Sequence, residues 1–155
     1  MKEKKRKTVI FNGLGFPIKL LNAPMKKIFG EWCVDINLNK LMLAVFEGLA
    51  HKPTSLTPDE LRFIRSYLKM TLAEFGKTFG ISHVAVLKWE KGKNKISPSL
   101  EICIRLYILN YLEVKDTAFR ALYKEVSLEQ LAKGPKRKIH PLAFNLATEE
   151  FKIAL

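Results

Sequence analysis

The first third of the chain alternates short apolar runs with turn residues, a pattern typical of β-strands. Residues 8–11 and 16–21 are two such runs, and Asn12-Gly13-Leu14-Gly15 lies between them. Because Asn-Gly favours a tight turn, these runs predict an antiparallel hairpin, to which residues 31–36 can add a third strand. The Gly-Leu-Gly sequence lacks the G-x-G-x-x-G spacing of a phosphate loop, and we interpret it as a plain turn.

From residue 37 onward, apolar residues recur every three or four positions, which predicts helices. The helix expected at residues 37–50 places six apolar side chains on one stripe: Leu38, Leu41, Met42, Val45, Phe46 and Leu49. Pro53 then interrupts the pattern, so residues 51–56 are the expected boundary between an N-terminal module and a helical domain.

Hydroxyl residues that can cap helices divide the next part of the chain. We expect helices at about residues 58–69, 72–79, 83–91 and 98–112, each preceded by such a residue: Thr57, Thr71, Ser82 and Ser97. Glu74 completes a capping box with Thr71, and Gly80 ends the second of these helices. Asp116 and Ser127 are expected to open two further short helices.

The pattern therefore predicts a mostly α fold with a small β module. Residues 1–7 form a basic N-terminal tail, and residues 8–52 form a small β plus helix module for dimerisation or partner binding. Residues 54–132 are expected to form a helical domain. Residues 133–155 are a basic linker and a C-terminal segment, which we interpret as a short extended piece followed by a turn of helix.

Charge adds a preference for an acidic partner. The 155 residues are 48% hydrophobic, enough for a core, yet carry a net charge of +12. Residues 1–7 hold five Lys or Arg against one Glu, and residues 133–155 hold five against two acidic residues. Such a balance favours nucleic acid, an anionic membrane surface or an acidic protein. No apolar run reaches the roughly 18 residues of a membrane span, so we expect no membrane partner.

The residues that carry chemistry are sparse. Cys33 and Cys103 lie far apart and make no metal-binding spacing, and two free thiols suit a reducing cytoplasm. The chain has only three histidines, no acidic cluster with metal-ligand spacing, and no Walker loop or nucleophile elbow. We therefore expect a cytoplasmic protein that is not an enzyme and needs no cofactor or metal.

Residues 70–93, MTLAEFGKTFGISHVAVLKWEKGK, contain two short helix patterns around a Gly-Ile-Ser break. Gly76 lies in the middle of the first, where it costs about 1 kcal/mol relative to Ala. A small residue there lets the second helix cross the first closely, as in a helix-turn-helix. The inward-facing residues are expected to be Leu72, Phe75, Phe79, Ile81, Val86 and Trp89.

This segment resembles the Xre/Cro family of phage and bacterial repressors over residues 56–109. Thr71 opens the first helix, Gly76 takes the small crossing position, and Gly80-Ile81-Ser82 forms the turn. VLKWEKGKNKISPS then matches the family's Trp-Glu-x-Gly-x-x-x-Pro-Ser-like run. Two features differ from the family: Leu72 stands where Gln is frequent, and the outer face of the second helix is more apolar. The resemblance implies a five-helix helix-turn-helix domain that binds the DNA major groove.

In this family the helix that begins at Ser82 is the recognition helix, whose first residues meet base edges. His83 can bond to a base, Val84 can pack on a thymine methyl, and Lys88 can reach guanine or a phosphate, with Leu87 between them. His83 as a solvated surface residue and Val84 as a protein contact are the alternatives. Trp89 is interpreted as core and not as a base-stacking residue.

Backbone contacts are expected around these base-reading residues. Helix N-termini favour phosphate, and the lysines after the second helix can clamp the DNA backbone, unless they form only a solvated loop. The residues concerned are Thr71, Ser82, Lys91, Lys93, Lys95 and Ser97.

The order of a β module, a connecting helix and an Xre-like domain is similar to that of MqsA-type antitoxins. Their zinc ribbon has four cysteines, whereas Cys33 alone cannot bind zinc, so the chain resembles a metal-free relative. The resemblance implies a dimeric repressor acting on operator DNA, or the antitoxin of a type II toxin–antitoxin pair with a toxin partner. The alternative is a protein- or RNA-interaction module that uses the basic surfaces.

Overall fold

The computed structural model describes residues 5–113, 141–147 and 151–153. Within these ranges, N-terminal strands are followed by five α-helices, and two short C-terminal strands complete the sheet. The described residues divide into two units: those up to 45 together with those from 141 on, and residues 46–113. The helices expected from Asp116 and Ser127, and the basic linker at 133–138, lie outside the described residues.

The expected hairpin is confirmed. Strand β1, Arg6–Phe11, pairs antiparallel with β2, Ile18–Ile28. In the turn between them, the Gly15 amide donates to the Asn12 carbonyl oxygen at 3.1 Å. Strand β2 extends seven residues beyond the predicted end at 21, although lysines interrupt its apolar pattern. The reason is backbone pairing, which periodicity does not report: β2 pairs with β1 as far as Pro24, and from Met25 on it pairs with β3, Glu31–Val34.

The C-terminal segment joins the same sheet. Strand β4, Leu142–Asn145, runs parallel to β2 with Ile18 opposite Leu142, and β5, Lys152–Ile153, pairs antiparallel with β4. The predicted extended piece corresponds to β4. A turn of helix was expected after it, but residues 152–153 form a strand, because the free edge of β4 offers a strand its backbone partners. The Leu146 amide donates to the Leu21 carbonyl oxygen at 2.8 Å and fixes this register.

The sheet buries one face through alternation. In β2, Ile18 and Leu20 are fully buried while Lys19 between them is exposed. Since successive side chains of a strand point to opposite faces, this pattern defines the core side of the sheet. Strand β4 follows the same rule and adds three buried apolar side chains: Leu142, Phe144 and, just after the strand, Leu146.

Helix α1, Leu38–His51, begins after Asn37, whose side-chain oxygen accepts the Lys40 amide at 3.2 Å. Most of its expected stripe is buried, but Leu38 is 47% exposed, contrary to the prediction, because it lies at the very start of the helix. The division between the two units falls within α1, after Val45, and not at residues 51–56.

A buried polar network holds the connection after α1 instead. Arg105 is fully buried, bonds to Glu101 at 2.8 Å and donates to the Thr54 carbonyl oxygen at 2.7 Å. The Lys52 ammonium lies 2.8 Å from a Glu60 carboxylate oxygen, and both side chains are almost fully buried. Each buried charge is thus paired, as burial requires. Pro53 interrupts the helix without creating a loose linker.

The remaining described helices start where the capping residues predicted. They are α2, Pro58–Tyr67, α3, Leu72–Phe79, α4, His83–Glu90, and α5, Pro98–Tyr111. The core of the second unit is aliphatic and aromatic, and its members include Phe46, Leu49, Leu61, Phe63, Ile64, Phe75, Val86, Trp89, Ile104 and Ile108.

Candidate nucleic-acid interface

Helix α3 begins and ends, and helix α4 begins, at the residues that the sequence predicted. The Thr71 hydroxyl accepts the Glu74 amide at 3.2 Å, and a Glu74 carboxylate oxygen accepts the Thr71 amide at 2.7 Å, which completes the capping box. Gly80 ends α3 in the left-handed region with φ of 70°. The Ser82 hydroxyl then accepts the Ala85 amide at 3.1 Å and starts α4. The two helices are therefore joined by a short turn.

Gly76 allows the close approach that this turn requires. A Cβ atom at this position would lie 2.5 Å from the Ile81 carbonyl oxygen and 3.2 Å from the Ser82 carbonyl carbon. The Ile81 amide also donates to the Gly76 carbonyl oxygen at 2.8 Å. Both contacts are with backbone, which cannot swing aside as a side chain can. The predicted need for a small residue in the middle of α3 is confirmed.

The inner face of α4 belongs to the core. Val86 is 1% exposed and Trp89 is 8% exposed, and both are packed in the second unit with Phe75 of α3. The interpretation of Trp89 as a core residue is confirmed, since a buried indole has no free face on which a base could stack. Three expected inward residues, Leu72, Phe79 and Ile81, are only half-buried.

The outer face of α4 presents the predicted base-reading residues to solvent. His83, Val84 and Lys88 are exposed, and Leu87 is half-buried between them. Val84 is 45% exposed, although an isolated helix surface gains nothing from a valine there. Together these residues form one continuous helical face that mixes a cation, an imidazole and two apolar side chains.

The start of α4 is electropositive in a way that the start of α3 is not. No acidic side chain lies in the first turn of α4, whose free amides and dipole favour an anion. In α3, the Thr71 amide and hydroxyl both serve the capping box, and the hydrogen bond from the Thr71 amide holds the pKa of Glu74 below its ordinary value. Because the carboxylate stays charged there, the N-terminus of α3 is the poorer phosphate site.

Lysines surround the far end of α4. The Lys93 amide donates to the Lys88 carbonyl oxygen at 2.9 Å, which folds the loop back against the helix that precedes it. Lys91, Lys93 and Lys95 are exposed, as is Ser97, whose hydroxyl caps α5 by accepting the Leu100 amide at 3.3 Å. Among the described residues, no carboxylate forms a salt bridge with Lys88 or with these three lysines. They are available to an external anion.

An ion pair that the sequence did not predict holds α4 against α2. The Glu90 carboxylate, 3% exposed, accepts from the Arg65 Nε at 2.5 Å and from its Nη2 at 3.0 Å. Arg65 also donates to the Met70 carbonyl oxygen at 3.0 Å, and its hydrogen bond with Glu90 raises the pKa of its guanidinium. The signal was present in the sequence, because Glu90 falls on the same inward stripe as Val86.

The predicted sites in the second unit thus separate into three groups. The base-reading candidates His83, Val84, Leu87 and Lys88 share the outer face of α4, and Ser82 lies at its positive end. The lysines at 91, 93 and 95 follow that helix directly, and Thr71 and Ser97 cap the neighbouring helices.

Comparisons of this chain with protein-family models, with curated proteins and with solved structures found no match. Within the described part of the chain, no helix is both long and apolar enough to cross a membrane. In the same residues, no group of three or more His, Cys, Asp or Glu could hold a metal ion. The function of this site is therefore argued from its own geometry and charge.

Proposed function

We propose that this protein is a sequence-specific DNA-binding transcriptional regulator that places α4 in the major groove of double-stranded DNA. The observation that carries the proposal is the division of α4 into two faces. Its inner face is buried around Trp89 and is held to α2 by the ion pair of Glu90. Its outer face carries no acidic side chain and is followed by three exposed lysines, and none of these lysines nor Lys88 has an acidic partner among the described residues. A rigid helix with such a face suits the width and charge of the major groove.

Sequence readout is assigned to the outer face. The first turn of a groove-bound helix meets base edges, which gives His83 a hydrogen bond to a base and Val84 a contact with a thymine methyl. Lys88 lies one turn further along and reaches the O6 and N7 atoms of guanine. Leu87, half-buried beside it, supplies apolar surface toward the groove wall.

Positioning on the DNA backbone is assigned to groups around α4. The free amides after Ser82 bind one phosphate, and Lys91, Lys93 and Lys95 contact the strand beyond the C-terminal end of the helix. Thr71 and Ser97, at the starts of α3 and α5, are secondary contacts. The carboxylate of Glu74 beside Thr71 makes that position the weaker of the two.

A single recognition helix spans too few base pairs for selectivity, so the proposal includes a homodimer. Two copies of α4 about 34 Å apart would bind half-sites one helical turn apart. The finer proposal of an antitoxin role, with a toxin as protein partner, rests on the resemblance to MqsA-type antitoxins. Co-purification with the product of a neighbouring reading frame tests that role.

The test of the function is fluorescence anisotropy with labelled DNA from upstream of the protein's own gene. A scrambled duplex and an RNA of the same sequence are the competitors. The proposal expects the upstream duplex to bind at least about 10³-fold more tightly than the scrambled duplex. Equal affinity for both duplexes, or preference for the RNA, contradicts it. The second result would favour the RNA-interaction alternative.

A further inference from the structure

The hairpin formed by β2 and β3 ends in an exposed aromatic side chain. The turn consists of Phe29 and Gly30, with φ of 48° and 87°, as a type I′ turn requires. Phe29 is 103% exposed, so its ring contacts nothing in the fold. Asn or Gly is the favourable residue at such a position, whereas a bulky side chain there is strained. The tip of this hairpin therefore combines a strained backbone conformation with an exposed apolar ring.

Two cations lie beside Trp32, the second aromatic side chain of the hairpin. Lys27 is the cross-strand partner of Trp32, which places both side chains on one face. The Lys5 ammonium lies 4.4 Å from the centre of the Trp32 ring, a cation–π distance. Trp32, 46% exposed, adds apolar surface behind Phe29 on this face, while Ile28, 39% exposed, lies on the opposite face.

The charge of this region selects an anionic partner. Residues 5–36 contain six Lys or Arg against two acidic residues, a difference of +4. One of the two, Asp35, is already paired with Lys26 at 3.1 Å. The other, Glu31, is the partner of Ile28 and therefore lies on the face opposite Lys27 and Trp32. A second copy of the hairpin would bring like charges together, which disfavours self-association through this tip.

We infer that the β2–β3 hairpin is a second DNA-binding element, which inserts Phe29 as a wedge between base pairs from the minor groove and bends the duplex. The inference rests on the proposed function and extends it to the first unit. Minor-groove proteins commonly use a single apolar wedge backed by Lys or Arg, and they kink DNA by about 20–90°.

Two other anionic partners fit less well. A single-stranded nucleic acid needs a platform of successive free aromatic faces. Here one side of the Trp32 ring is occupied by the Lys5 ammonium, which leaves Phe29 as the one fully free ring on the described hairpin. That same ammonium would have to enter hydrocarbon if Trp32 inserted into a lipid bilayer. A narrow tip with a single leading ring suits a wedge.

The experiment measures bending separately from binding. Upstream duplex DNA carries a donor and an acceptor dye at its ends, and energy transfer is recorded at saturating full-length protein, with affinity taken from anisotropy. Phe29→Asn removes the ring but favours the left-handed turn, so circular dichroism should show a thermal midpoint no lower than that of the wild type. Phe29→Leu keeps an apolar wedge, and Leu43→Ala, which removes a side chain 44% exposed on α1, is the matched control.

The wild type, Phe29→Leu and Leu43→Ala are expected to raise energy transfer, whereas Phe29→Asn binds about three- to ten-fold more weakly and leaves the DNA straight. If Phe29→Asn bends DNA as the wild type does, the wedge is overturned while the regulator proposal stands. If the wild type shows no preference for the upstream duplex, both fail. If Phe29→Asn keeps its affinity for duplex DNA and loses binding only to single-stranded DNA or to phosphatidylserine vesicles, the tip is assigned to those partners and the wedge is overturned.

Discussion

At the residue scale, neighbouring positions on α4 have opposite environments. Trp89 is buried in the core, while Lys88, one position before it, is exposed and has no acidic partner among the described residues. Because adjacent helical residues point in directions about 100° apart, a single short helix can serve packing and recognition together. Substitutions on the outer face should therefore change binding without changing the fold.

The first prediction separates base contacts from backbone contacts. His83→Ala and Lys88→Ala are expected to weaken specific binding by about 1–3 kcal/mol each, and to weaken non-specific binding much less. Lys93→Ala should weaken both equally, since a phosphate contact carries no sequence information. Anisotropy on upstream and scrambled duplexes measures both affinities for each variant.

Circular dichroism on each of these variants is the control, and all three should melt as the wild type does because the replaced side chains are exposed. If His83→Ala and Lys88→Ala both stay folded and keep the wild-type ratio of specific to non-specific affinity, α4 does not contact bases. The exposed Val84 and the half-buried Leu87 would then favour a protein partner for this face.

At the scale of elements, α3 and α4 are defined by their ends and by their closest approach. Thr71 and Ser82 cap the two starts, Gly80 ends α3, and Gly76 meets the backbone of the turn. The ion pair of Glu90 with Arg65 then ties α4 to α2. The proposed recognition depends on these contacts, because they set where the outer face of α4 points.

The second prediction concerns Gly76→Ala. Ala is the better helix former by about 1 kcal/mol, yet its Cβ would meet the Ile81 carbonyl oxygen at 2.5 Å. Overpacking against backbone should dominate, and we expect a net loss of about 1–3 kcal/mol in the free energy of unfolding, measured with urea. Lys77→Ala, at the next and exposed position, is the control and should be close to neutral. A Gly76→Ala variant as stable as the wild type would mean that the turn relaxes freely.

The third prediction is a pH dependence at the start of α3. The Thr71 amide and hydroxyl hydrogen bonds lower the pKa of Glu74 in the folded state. A depressed folded-state pKa contributes stability above the unfolded-state pKa, about 4.3, and this contribution is lost as pH falls through the folded-state value. Glu74→Gln should therefore be less stable than the wild type near pH 6, and the gap between their thermal midpoints should close toward pH 3. A gap that stays constant over this range would contradict the capping role of the carboxylate.

At the scale of the whole molecule, a net charge of +12 would make electrostatics the main term in the proposed association with DNA when that association is non-specific. Not all of the 27 Lys and Arg residues are accessible to a partner. Arg105 and Lys52 are buried and paired with Glu101 and Glu60, so they can take no part in binding. The exposed lysines after α4 are among the cations that remain available to phosphate.

The fourth prediction is the salt dependence of specific binding. A dimer that contacts three or four phosphates per subunit releases about 0.9 counterion per contact, which gives a log–log slope of roughly −5 to −7. Titration of the wild type from low to high salt on upstream DNA measures this slope, and Lys93→Ala should make it shallower. A wild-type slope shallower than about −2 is incompatible with the proposed backbone contacts.

The fifth prediction is that the first unit joins the subunits of a dimer. A fragment that begins at residue 54 would lose the Ala50 and Lys52 carbonyl oxygens that accept from Arg105, and would be unstable for that reason alone. Residues 46–139 keep them and follow the division of the chain. Sedimentation should find the full chain dimeric and this fragment monomeric. Equal dimerisation of both would place the interface in the helical unit.

Local rules were sufficient for much of this protein. The starts of four helices, the end of α3 at Gly80, the first hairpin and the core role of Trp89 all followed from the sequence. Capping, turn formation and helical periodicity depend on residues within a few positions of each other, so their causes are visible in a short window. The exposed candidates His83, Val84 and Lys88 were found for the same reason.

Only the tertiary structure decided what depends on distant residues. The parallel pairing of β4 with β2 joins positions more than 120 residues apart. The pattern of a four-residue strand does not show which other strand it pairs with. Glu90 lies on the inward stripe of α4, but only the structure shows that its partner is Arg65 of α2. The pair of Glu101 and Arg105 on α5 resembles solvated surface, and it becomes structural because backbone groups of residues 52–56 bond to it. The sequence by itself therefore determined the described helices and the outer face of α4. Pairing between distant residues decided how the sheet is completed and which contacts hold α4 in place.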